Sequence, residues 1–171
     1  MGITSTGYKI VLLLHILCAI VGFGAVFLNG LYGRESKRRP GPGGLAITEA
    51  NLFVSQVGEY FIYAVFVLGI ALVLMSDEAW KFSQTWLILA LIFYVVGVAV
   101  SHAVLFPNAK RIRDLSAELV AAGPPPPDAP PGPPPQVAEM ERHGKILGVA
   151  STFLHLLLVA ILALMIWKPG A

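Results

Sequence analysis

Three histidines and one carboxylate stand out because the residues around them offer no water. His15, Glu59, His102 and His155 all fall inside long apolar runs. An ionisable side chain in hydrocarbon is expensive, so it marks a functional site by default. Depth along a helix follows from about 1.5 Å per residue. On that count His102 lies about 12 Å from Lys110 and His155 about 15 Å from Lys145. Glu59 lies about 12 Å from Asn51. These three residues, each on a different apolar run, therefore share one layer. His15, about 9 Å from Lys9, belongs to a layer nearer the opposite surface.

Several chemistries suit the shared layer. Two histidines on facing helices can ligate a haem iron axially. Two histidines with a carboxylate also suit a bare transition metal, with Glu59 as third or outer ligand. Imidazole and carboxylate can instead relay protons through an apolar region. The plainest alternative is that each polar side chain hydrogen-bonds a neighbouring helix. No CxxC, HxxxH or Gly-rich phosphate loop decides among them.

The elements that must position these residues are legible in the composition. The 171 residues are 56% apolar and 13% charged, against roughly 45–50% and 25% in soluble domains. So few charges cannot coat a soluble fold, which excludes a soluble enzyme, a disordered chain and a nucleic-acid binder. The net charge of +2 is too small to imply an electrostatic partner, and one cysteine permits no intrachain disulfide. The first apolar run has no preceding basic cluster and no small-residue cleavage site, so it reads as a span and not a signal peptide.

Four runs near residues 9–31, 51–75, 82–106 and 145–167 are long enough to cross a bilayer, which takes about 20 residues. The expected fold is an all-α membrane protein, an antiparallel four-transmembrane-helix bundle forming a single domain over residues 1–171. Basic residues set its orientation. Arg34, Lys37, Arg38 and Arg39 occupy the first loop; Lys110, Arg111, Arg113, Arg142 and Lys145 flank the third; Lys9, Lys81 and Lys168 lie on the other side. Both termini are expected outside, with a long cytoplasmic loop between helices 3 and 4, in a multi-pass plasma-membrane protein. Trp80, Trp86 and Trp167 fall at the expected outer interface.

Between the spans, residues 34–44 (RESKRRPGPGG) read as a basic, flexible turn. Residues 108–122 read as an amphipathic helix that lies on the membrane or continues the third span. The segment PPPPDAPPGPPP holds nine of the thirteen prolines, so residues 123–136 read as a disordered cytoplasmic linker of polyproline II character. Helix resumes near Gln136. Two stripes of small and polar residues recur at helical spacing: His15, Cys18, Gly22, Ala25, Asn29 on the first span, and Gly144, Gly148, Ser151, His155 on the fourth. Such stripes let helices approach closely and are expected to face the bundle interior. Cys18 reads as packing and His143 as a solvated interface residue. Tyr60, Tyr63 and Tyr94 need only a hydrogen-bond partner, and Asn29 reads as a helix-end cap or a contact to the first loop.

The first-span histidine in LLLHILCAIVGFGAVF, the small residues after it and the four spans resemble a bacterial family of uncharacterised integral-membrane proteins. That family is similar to the copper-resistance D and HemJ-type four-helix membrane proteins. The resemblance implies haem b held by a first-span histidine, which here is His15 alone. The residues' own depths favour His102 and His155. The leading expectation is a membrane protein that binds haem b or a metal ion for electron transfer or oxidoreduction. The alternatives are a non-catalytic scaffold subunit of a larger membrane complex and a small proton-coupled transporter subunit. The bilayer is the certain partner, with a homo-oligomer or a larger complex as further expectations.

Overall fold

The structure, a computed structural model, describes residues 2–124, 126 and 132–171. Five α-helical segments run in chain order: α1 (Thr6–Arg38), α2 (Pro42–Leu74), α3 (Thr85–Val100), α4 (Phe106–Ala122) and α5 (Pro135–Trp167). A π turn, Ser101–Leu105, joins α3 to α4 in one unbroken rod. Four rods are therefore long and apolar enough to cross a membrane, as the apolar runs require, and no strand occurs among the described residues. Each 33-residue helix is about 50 Å long and overshoots a hydrocarbon core of about 30 Å. The expected spans are thus parts of longer helices, whose polar extensions lie mainly at the end that carries the basic residues. Ile20, Phe53, Val67, Val149 and Ile166 face outward with more than half of their surface uncovered, which suits lipid and not water.

The first two helices form a tight hairpin. Residues 34–44 are helix on both sides of a three-residue turn, in place of the expected flexible loop. Pro40 disfavours helix at Arg39, Gly41 adopts φ +77°, and Pro42 opens α2 at a position that needs no amide proton. The Ser36 hydroxyl bonds the Gly44 carbonyl (2.9 Å) and the Thr48 hydroxyl (2.8 Å), tying the helix ends together. A Cβ at Gly44 would collide with the Arg39 carbonyl.

The first-span stripe faces α2 along its length. Gly22 lies against Gly58 and Ile62, Ala25 against Gly58, and His15 against Gly69. Asn29 accepts a hydrogen bond from the Ser55 hydroxyl at 2.9 Å, so it is an interhelical contact and not a cap. The fourth-span stripe behaves differently. Gly148 has open space where a Cβ would sit, and Gly144 faces only the Lys37 ammonium. The Gly144–Gly148 pair is not a helix-packing seam within this chain.

The rod of α3 and α4 packs along α5, with Gly97 against Leu154 and Leu157. Residues 108–122 continue the third span and do not lie flat on the membrane. Leu115, 1% exposed, and Ser116 bury the apolar side of α4, and the Ser116 hydroxyl contacts the Met140 sulfur of α5. Helix resumes at Pro135, close to the expected Gln136. The polyproline II linker expected over 123–136 falls in part on residues 125 and 127–131, which lie outside the described residues.

Both termini reach the end of the bundle that carries the α2–α3 turn. There the Trp80 indole donates to the Tyr8 hydroxyl at 3.0 Å and meets Trp86 edge-on at 5.7 Å. The Lys168 ammonium sits 3.8 Å above the Trp80 ring, and its burial lowers its pKa from the ordinary lysine value. Ser76, buried in the turn, accepts from the Trp80 amide at 3.0 Å. Of the three expected interface tryptophans, Trp167 is 76% exposed and Trp80 half-buried, whereas Trp86 is 4% exposed and belongs to the core.

The glycine contacts give a paired test. In Gly58→Ala the new Cβ would sit 2.6 Å from the Ala25 Cβ, and overpacking of that kind costs about 1–3 kcal/mol. Gly148→Ala meets nothing and gains up to about 1 kcal/mol of helix propensity. Thermal unfolding of both variants in detergent should lower the midpoint for the first and hold or raise it for the second.

Candidate functional site

Glu59 and Tyr63 are four residues apart on α2, so they share one helix face. The Tyr63 hydroxyl donates to Glu59 Oε1 at 2.7 Å. His102 meets both: its Nε2 lies 2.6 Å from the Tyr63 hydroxyl and 2.7 Å from Glu59 Oε1. The imidazole is stacked between the Tyr63 ring (centroids 6.3 Å) and the Phe106 ring (5.8 Å). The Glu59 side chain is 17% exposed and that of His102 50%. The carboxylate is therefore held inward, and the imidazole covers it from the outer side of the bundle.

The π turn presents this histidine. Pro107 has no amide proton, so the α-helical bond to the Ala103 carbonyl is impossible. The chain absorbs the defect by widening: the Phe106 amide reaches back five residues to the Ser101 carbonyl. Such π turns inside α-helices recur at functional sites. The freed backbone is partly repaired by the Asn108 side-chain amide, which donates to the Val104 carbonyl at 2.7 Å.

Three mutually close polar atoms admit two proton arrangements. With the imidazolium and carboxylate both charged, Nε2–H and the phenol O–H each donate to Glu59. With both groups neutral, the carboxyl proton bonds the phenol oxygen and the phenol proton bonds Nε2. The two differ by one proton moved between Glu59 and His102, at no change in total charge.

The other expected site residues lie apart. His155 lines an interior cavity of about 60 Å³ between α1, α2, α3 and α5, together with Glu59, Tyr63, Tyr94 and Ser101 on an otherwise apolar wall. Its ring meets Phe27 edge-on at 5.1 Å, and its Nε2 is buried without a hydrogen-bond partner. His15 lies between α1 and α2 with its Nδ1 likewise unpartnered. Among the described residues no group of three His, Cys, Asp or Glu side chains converges as a metal ion requires, so Glu59, His102 and His155 are not arranged as one ligand set. His102 Nε2 is engaged by Glu59 and Tyr63, and His102 is not among the residues that line the cavity beside His155.

A family model described as "Predicted integral membrane protein (DUF2269)" matches residues 9–169. The chain belongs to this family. No curated protein and no solved structure matches it. Membership in DUF2269 together with the four apolar rods makes the chain a multi-pass integral membrane protein.

In this DUF2269 chain a second polar cluster joins α4 to α5 beyond the apolar spans. His143 is not solvated: its side chain is 15% exposed, its Nδ1 lies 2.6 Å from Asn108 Oδ1, and Glu139 lies 3.6 Å from its Nε2. The Arg111 guanidinium donates to Glu139 at 2.8 Å. Asn108 thus connects this cluster to the π turn. Tyr63 and Tyr94 also do more than the sequence suggested. Tyr94 spans the gap to α2, its hydroxyl donating to the Ile62 carbonyl at 3.3 Å and its ring stacked on Phe66 at 4.9 Å.

A double-mutant cycle tests the contact between α2 and the π turn. Glu59→Gln and His102→Gln should each destabilise the protein, and their combination should depart from additivity by about 0.5–3 kcal/mol. Stability changes that simply add would show that the two side chains do not interact.

Proposed function

We propose that this protein handles protons within the membrane, as a small proton-coupled transport protein. Glu59, Tyr63 and His102 form the chain along which a proton moves. The observation that carries this reading is the Tyr63 hydroxyl, 2.7 Å from Glu59 and 2.6 Å from His102. A phenol between a carboxyl and an imidazole can accept a proton on one side as it releases its own on the other. In one transfer the Glu59 O–H bond breaks and its proton joins the phenol oxygen. The phenol's original proton forms the new N–H bond at His102 Nε2. Glu59 becomes a carboxylate, Tyr63 ends neutral, and His102 becomes imidazolium.

Surroundings on both sides support the reading. Glu59 and Tyr63 line the interior cavity together with His155, whose buried Nε2 has no protein partner. On the other side Asn108, six residues past His102 and bonded to the Val104 carbonyl of the π turn, leads through His143 and Glu139 to Arg111. Ionisable groups on bundle interiors are the usual carriers of proton pathways.

Reconstitution into liposomes with a trapped pH-sensitive dye provides the test. Wild-type vesicles should dissipate an imposed proton gradient faster than empty ones, Glu59→Gln and His102→Ala should return the rate toward that of empty vesicles, and Tyr63→Phe should slow it. An absorption spectrum of the purified protein separates this from the electron-transfer reading. Haem b on His15, implied by the likeness to HemJ-type proteins, would give a Soret band that shifts on dithionite reduction. A Soret band with no proton flux would replace the present reading.

A further inference from the structure

We infer that the groove between α2 and α4 at the basic end of the bundle binds the headgroup phosphate of an anionic phospholipid. The groove encloses about 340 Å³ and is lined by Leu52, Gln56, Phe106, Pro107, Lys110 and Arg113. Its lining divides by chemistry. Leu52, Phe106 and Pro107 are apolar, whereas Gln56, Lys110 and Arg113 supply N–H donors, and no carboxylate lines it.

Its position matches a lipid headgroup. Phe106 is the last apolar residue of the third span, and Lys110 is its first charge. Leu52 opens the apolar stretch of α2. The groove thus straddles the boundary between hydrocarbon and headgroups, with apolar side chains for the glycerol backbone and cations for the phosphate. Basic side chains at this depth attract anionic lipids.

Lys110 forms no ion pair among the described residues. Arg113 has Asp114 Oδ1 2.8 Å from its Nε, yet that buried Nε makes no hydrogen bond, because the neighbouring carboxylate lies off the N–H direction. A guanidinium can bind phosphate oxygens through two parallel N–H bonds, and an ammonium adds a point charge. The unpaired Lys110 and the Arg113 guanidinium, which Asp114 neighbours only on its Nε side, favour a lipid of net negative charge over a zwitterionic one, since no acid lines the groove.

Native mass spectrometry of the full chain, released from detergent with added phosphatidylglycerol or phosphatidylcholine, tests this directly. The wild type should retain phosphatidylglycerol preferentially, as one tightly held lipid per chain. Lys110→Ala/Arg113→Ala should lower that retention by roughly tenfold, whereas Lys37→Ala/Arg38→Ala at the end of α1 should not. Equal retention of the two lipids by the wild type, or equal loss in both double variants, would overturn the assignment. Displacement by an equal concentration of inorganic phosphate would overturn it in favour of a free-anion site. Should the alanine variant fail to fold, Lys110→Gln/Arg113→Gln and the wild-type lipid preference still decide.

Discussion

In hydrocarbon no water stands ready to accept or donate a hydrogen bond, and this constraint organises the molecule. It forces the backbone into helices and sends hydroxyls back to their own helix, as with Ser55 on the Asn51 carbonyl and Thr152 on the Gly148 carbonyl. It also makes the first hairpin a close one. Gly22 and Gly58 bring α1 and α2 near enough for Asn29 and Ser55 to satisfy each other. Where a carboxylate enters the same environment, the constraint is harsher. Glu59 is held by a phenol on its own helix and an imidazole from another. Only buried nitrogens on His15 and His155 and a few other polar atoms stand without protein partners among the described residues.

The two halves of the bundle meet unevenly. The α1–α2 hairpin is close-packed, and so is the pairing of the α3–α4 rod with α5. Between the halves, α2 and α3 are linked by side chains: Tyr94 reaches the Ile62 carbonyl and Phe66, and His102 reaches Glu59 and Tyr63. The interior cavity lies beside these bridges. A polar chain at a loosely filled boundary has room to change its protonation without a rearrangement of close-packed backbone.

Much of this was legible in the sequence, and the remainder was hidden for definite reasons. Apolar run length revealed four spans, because hydrocarbon thickness fixes how many residues a span takes. Counting residues from flanking charges put Glu59 and His102 at one depth, and the structure joins them. Depth, however, leaves the angle around the helix axis open. His155 was assigned to the same layer, but it faces Phe27 and the cavity. Tyr63 reads in the sequence only as a ring that needs a hydrogen-bond partner, although its spacing of four from Glu59 is a signal that the two share a helix face. At residues 34–44 the charges suggest a loop, whereas Pro40, Gly41 and Pro42 confine the break to three residues. The α5 glycines satisfied a packing motif with no partner helix to receive it.

The π turn has a consequence for everything that follows it. An α-helix turns by about 100° for each residue, and a π turn takes in one residue more than the surrounding winding needs. The 17 residues of α4 are therefore rotated as a block relative to the register that α3 would hand on. Leu115 is buried, while Lys110 and Arg113 line a groove with Leu52 and Gln56 of α2, in this rotated phase and not in the unbroken one. No single helical wheel drawn from Thr85 to Ala122 can show both the lipid-facing side of α3 and the docking side of α4. Residue number within Ser101–Leu105 thus acts as a phase setting, and losing one residue there would reorient a whole helix.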